Sequence, residues 1–135
     1  MDERKINLAK YRFQRATEDL EIAKTLSDKG HFKSSLSSSY YAIFHSVRTI
    51  FAFEEIDSKK HVGVIHLFIQ NFIKTGLLKE DLKLILSNAF QIRMESDYKD
   101  FYVVNKDTAE QQITNAEFFL KEVKAFINIY YKIEL

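Results

Sequence analysis

Arg93 stands where an apolar stripe ends. In the stretch IRMESDYKDFY, residues 92–102, it follows Leu82, Ile85, Leu86 and Ala89 at intervals of three or four, the spacing of one helical face. A guanidinium on a core-facing stripe needs a carboxylate, an exit past the end of a bundle, or a second subunit. Its plain role is a salt bridge to Glu95, Asp97 or an acid on another helix. Its chemical role is a clamp on phosphate, because the planar fork suits charged oxygens. A second set of groups, Ser38, Tyr41, His45 and Arg48, recurs at intervals of three, four and three. This ridge would bring hydrogen-bonding groups to a pocket or subunit interface, its small serine letting another helix approach closely. The competing reading is that His45 is a satisfied packing histidine, the usual state of a lone helical histidine.

Other chemistries lack their residues. His61 and His66 are five apart, without the paired spacing of a zinc helix, so no metal site is expected. There is no Walker loop, no GxGxxG after a strand and no GxSxG elbow, and no cofactor is expected. The absence of cysteine excludes disulfides, thiolate metal sites and a cysteine nucleophile. A formal net charge of +1 is too small for a protein that tracks duplex DNA, although local basic patches stay open. The charged start, MDERKINLAK, lacks the apolar core of a signal peptide, and no apolar run could span a bilayer. The expectation is a cytoplasmic protein with no membrane partner.

The elements that must position these groups are helices. With no proline and three glycines in 135 residues the chain has few breakers, and its nineteen Phe and Tyr supply large apolar side chains. We expect one all-α domain over residues 1–135, long enough to bury roughly two-thirds of its unfolded surface. Ala9, Phe13, Ala16, Leu20 and Ala23 predict a helix over about 4–28, closed by Gly30. Phe32, Leu36, Tyr40, Ile43, Val47 and Ile50 predict a second over about 31–53. A short third helix, about 60–74, carries His61, Ile65, Phe68 and Phe72 in register, and a fourth runs over about 78–95. The segment SDYKDFYVVNK has no period and reads as irregular chain anchored by Tyr98, Phe101, Val103 and Val104. Thr108 with Gln111 forms a capping-box signature opening a last helix with Ile113, Ala116, Leu120, Val123, Ile127 and Tyr130 on its seam. Long helices with short connections pack best as an up-and-down bundle of four main helices plus one short one.

Four stretches carry a family resemblance: SSSYYAIFHSVRTIF, KKHVGVIHLF, TGLL and IRMESDY, in that order. Together they resemble the small bacterial and archaeal branch of the HEPN domain (higher eukaryotes and prokaryotes nucleotide-binding), over nearly the whole chain from Tyr11. The resemblance implies a helical bundle that pairs into a homodimer and is often encoded beside a minimal nucleotidyltransferase in a toxin and antitoxin pair. Several branches are metal-independent ribonucleases that use an arginine and a histidine with four to six residues between them, at the dimer cleft. Here Arg93 takes the arginine position, and four residues lie between it and Tyr98, where the histidine would stand. A tyrosine is a poor general base near neutral pH. In related toxins a tyrosine near the motif is modified with AMP, which makes Tyr98 and Tyr102 candidates by proximity.

Three functional expectations follow. The leading one is a HEPN-like homodimer that binds nucleotide or RNA phosphate at a cleft lined by Arg93, Asp97, Tyr98, Tyr41 and Arg48, acting with a minimal nucleotidyltransferase. The second is a ribonuclease toxin in which Arg93 stabilises charge and His45 or Tyr98 transfers the proton. The third is a non-catalytic dimeric module in which Arg93 is only a salt bridge.

Overall fold

A computed structural model describes all residues from Met1 to Leu135. It is all-α, with five helices in the order α1 (Glu3–Asp28), α2 (Phe32–Glu54), α3 (His61–Phe68), α4 (Glu80–Tyr98) and α5 (Lys106–Tyr130). α3 runs on into a wider π turn over Ile69–Ile73. No helix is long and apolar enough to cross a membrane.

α2 is the central element. Its sequence has no Lys or Glu between Lys33 and Glu54, and almost every residue from Ser35 to Phe53 is buried. A helix that is apolar or small all round must be covered on all sides. α1 covers one side: Ala9, Ala16 and Ala23, seven apart and fully buried, form a smooth seam against the small residues of α2. Ser35 secures the pair by donating its hydroxyl to the Ala23 carbonyl at 2.7 Å. At Ser35 the helix that a small serine admits is α1 of the same chain. Pairings of Lys5 with Glu55 and Arg12 with Arg48, like that of Ala23 with Ser35, run in opposite directions along α1 and α2. α5 covers a second side in parallel to α2, from the Leu36, Val104 and Ala109 cluster at one end to the Phe53–Tyr131 stack at the other.

α4 lies on α2 through Phe90 and Arg93, both against Tyr40. Gly76, at φ +80°, turns the chain after the π segment, and the Leu78 N–H bonds back to the Phe72 carbonyl at 2.8 Å. That bond spans one residue more than the outer bond of a Schellman cap, in keeping with the wider π turn before it.

The structure departs from expectation in the connection between α4 and α5. α4 continues to Tyr98, so Asp97 and Tyr98 are helical. Of the four expected anchors only Val104 is buried; Phe101 is 100% exposed, and Tyr98 and Val103 are also open to solvent. α5 begins at Lys106, capped by Asn105, whose Oδ1 accepts the Thr108 N–H at 2.8 Å. Thr108 sits inside the first turn, so the cap lies three residues before the position the sequence suggested. Tyr130, expected on the α5 seam, is half exposed.

Candidate functional site

Arg93 lies one turn before the end of α4, and α2 supplies most of what surrounds it. Its guanidinium carbon is 5.3 Å from the centre of the Tyr40 ring and 5.0 Å from that of Tyr41. Successive helical residues diverge by about 100°, so the cation occupies the notch between two rings of α2. Each ring contact of this kind contributes about 0.5–2 kcal/mol, more as the cation is desolvated. Only 19% of the Arg93 side chain is exposed.

Its one carboxylate neighbour is Asp97, with Nε 3.2 Å from Oδ2. The N–H is not aimed at that oxygen, and Nε is buried without a hydrogen-bond partner. The pair is therefore not the two-bond fork that would use up the guanidinium. Helix energetics do not favour it either. Asp97 places negative charge near the C-terminus of α4, whose last turn holds no basic residue. The order Arg then Asp is also the weaker one for an i,i+4 pair. The acid holds the cation at some cost to the helix.

His61, the first residue of α3, joins the same rings. The Tyr40 hydroxyl and His61 Nδ1 share a hydrogen bond at 2.7 Å, and the imidazole stacks on Phe44 with ring centres 4.3 Å apart. Burial raises the Tyr40 phenol well above its ordinary range, against the opposing pull of Arg93. Burial, then the charges of Arg93 and Arg48, lower the His61 pKa. Both shifts favour a phenol that keeps its proton beside a neutral imidazole. Gly63 makes this placement possible: a Cβ there would lie 2.1 Å from Ser58 Oγ. Only a residue without a side chain lets the α2–α3 loop close over the start of α3.

Arg48 is placed by a different partner. It donates from Nε to Asp57 Oδ1 at 3.2 Å and from Nη2 to Oδ2 at 2.6 Å. Arg12 adds a bond to the Arg48 carbonyl at 2.8 Å and one to Asp57 Oδ2 at 3.3 Å. Burial would raise the Asp57 pKa, but the hydrogen bonds from Arg48 and Ser58 and the two arginine charges hold it below the usual carboxylate value. This network ties α1 and α2 to the α2–α3 loop.

His45 is buried, with 6% of its surface exposed. Its Nε2 is 3.6 Å from Asp19 Oδ2 and its Nδ1 has no partner. Burial, reinforced by Arg15, Arg48, Arg12 and His61, lowers its pKa to about 4. At neutral pH the imidazole is uncharged, and its contact with Asp19 is not an ion pair. That setting suits a packing histidine. Tyr98, in the last turn of α4, is 76% exposed.

Of the residues singled out in the sequence, the structure gathers Arg93, Asp97 and Tyr41, sets Arg48 in a separate network, and buries His45 against Tyr41. It adds two that sequence reasoning assigned elsewhere. Tyr40 was on the apolar stripe, where it is indeed buried, but its hydroxyl and ring both serve the cluster. His61 was set on the stripe of the third helix and weighed as a metal ligand; its place at the head of KKHVGV was the available signal. No three His, Asp or Glu side chains converge as a metal site would require.

The HEPN domain family matches residues 9–126, which hold every residue of this cluster. The chain belongs to the HEPN family. Among HEPN relatives, a UPF0332 protein of Archaeoglobus fulgidus is 33% identical over 117 residues, covering 87% of this chain and 93% of that protein. Two proteins of Methanocaldococcus jannaschii, each named as a candidate toxin, are similar as well. One is 29% identical over 84% of this chain and 78% of its own length, the other 31% identical over 81% of each.

Proposed function

We propose that this HEPN chain is a toxin-like homodimer that binds the phosphate of a nucleotide or RNA at Arg93, in a cleft completed by its second copy, and acts with a minimal nucleotidyltransferase. The observation that carries the reading is the Arg93 guanidinium: largely buried, held on two aromatic faces, and aligned with no carboxylate. A cation placed this way keeps donors for an incoming anion, and Asp97 fixes its position without neutralising it through a matched fork. The names of the M. jannaschii relatives support the toxin-like part of the proposal.

Support for pairing comes from the surface beside Arg93. Between α3 and α4 an apolar groove of about 520 Å³ is lined by Val62, Ile65, Phe90 and Met94, with Ser87 and Gln91. Val62 and Met94 are exposed there, and Phe101 and Val103 stand open beyond the end of α4. A second copy laid across this face would cover apolar surface that a monomer leaves in water. Titration calorimetry with ATP tests the site: the wild type binds, and Arg93→Ala loses at least tenfold in affinity while keeping its helical circular dichroism. Equal binding by the two proteins would remove Arg93 from the site.

A further inference from the structure

A second cationic groove adjoins the Arg93 cluster. It has a volume of about 670 Å³ and is lined by Phe44, Arg48, Asp57, Ser58, Lys59 and His61. His61 and Phe44 are also the residues that border the rings under Arg93, so the groove begins where that cluster ends. His61 shares Tyr40 and Tyr41 with Arg93 and lines the groove with Arg48, and the charges of both arginines act on it.

The six lining residues alone carry a net +1, from Arg48 and Lys59 against Asp57, as much as the whole chain carries over 135 residues. Asp57 is its one lining acid and is already shared by Arg48 and Arg12. The Asp57 bonds use Nε and Nη2 of Arg48, leaving Nη1 uncommitted to that carboxylate. Lys59 and Lys60 are exposed at the same loop. The two glutamates nearest in sequence are engaged elsewhere: Glu54 accepts from the Tyr131 hydroxyl, and Glu55 pairs with Lys5. The excess of fixed positive charge over a restricted area is the electrostatic setting for a phosphodiester. Lys60, as the N-cap of α3, makes no side-chain capping bond, so the first amides of α3 add donors at the rim.

We infer that the groove between α2 and the head of α3 is a second phosphate subsite, continuous with the Arg93 site through His61. The ligand is then a single-stranded oligonucleotide that spans both, and a mononucleotide fills only the Arg93 site. Asp57 acts as a positioning residue that aims Arg48 into the groove. Fixed placement of Arg48 is what separates this groove from a general basic surface: Asp57 holds its guanidinium by two bonds, and the loop that carries Asp57 and Lys59 lies with Ser58 close against Gly63.

The inference rests on the Arg93 reading, and the test separates the two. Uridine monophosphate and a hexauridylate are titrated into wild type, Lys59→Ala and Lys59→Glu over a range of salt. Lys59 is exposed, so both variants are expected to fold normally. In wild type the hexamer binds more tightly than the monophosphate. In Lys59→Ala the hexamer binds several-fold more weakly, with its log–log salt slope reduced by about 0.7, the loss of one single-strand phosphate contact. The monophosphate binds all three proteins alike, and Lys59→Glu weakens the hexamer further. Hexamer binding unchanged in both variants, or no preference for the hexamer in wild type, overturns the subsite and leaves Arg93 standing. Failure of wild type to bind either probe overturns both.

Discussion

Around His45 stand Arg12, Arg15, Arg48 and His61, all opposing its protonation, and a single acid, Asp19, at 3.6 Å. The ordinary histidine pKa is about 6.5, and in the fold it falls to about 4. Between those values the unfolded chain binds more protons than the folded one, so stability is full above about pH 6.5 and declines as pH falls towards 4. His61, whose pKa is also lowered, adds in the same direction. Urea unfolding at pH 7 and pH 5 is expected to show the wild type losing about 2 kcal/mol from His45 over that interval. His45→Gln loses the His45 part of this slope; an equal slope in both proteins would mean that His45 does not titrate against the fold. At this scale the sequence was informative where a residue broke a pattern. Arg93 was legible because a cation ended an apolar stripe, and Asp97 because it lay one turn on. Tyr40 was half legible: its burial followed from the stripe, but the direction of its hydroxyl depends on His61, twenty-one residues away. No local period reports such a contact.

Among the elements, α3 is the one whose position decides the site, since its first residue reaches Tyr40 and its approach to the α2–α3 loop depends on Gly63. Gly63→Ala forces a methyl onto Ser58 Oγ, so the loop must move. The expected loss is about 1–3 kcal/mol, the usual range for overpacking, and Ser58→Gly added to it restores much of that loss. Thermal or urea unfolding of the single and double variants measures the recovery. Additive losses would show that the Ser58 contact is not what restricts position 63. Helix existence and core faces were legible from periodicity because burial dictates both. Ends were less so, for physical reasons that differ by place. α4 runs on to Tyr98 although its apolar stripe stops at Arg93, since backbone bonds can continue a helix past its buried face. α5 starts before Thr108 because the Asn105 side chain reaches the Thr108 amide. The π turn after Phe68 leaves Phe72 in the core and so disturbs no apolar pattern that would reveal it.

For the whole molecule, the all-α bundle followed from the lack of breakers and the four long stripes, and the family from four stretches spread along them. What surface a second copy would cover is a property of three dimensions: Val62 on α3 and Met94 on α4 border one groove, yet thirty-one residues separate them in sequence. If that face pairs two copies, light scattering at tens of micromolar gives the dimer mass for wild type and a lower mass for Val62→Glu, which puts a charge into the covered surface. A monomeric wild type, or an unaffected variant dimer, would place the interface elsewhere or remove it. The central claim is that a guanidinium held between Tyr40 and Tyr41 receives phosphate. Calorimetric titration of wild type and Arg93→Ala with a short single-stranded RNA at low salt tests it most directly. Wild type is expected to bind saturably and the variant to respond at least tenfold more weakly, with both proteins folded. Equal binding, or none by the wild type, would contradict it.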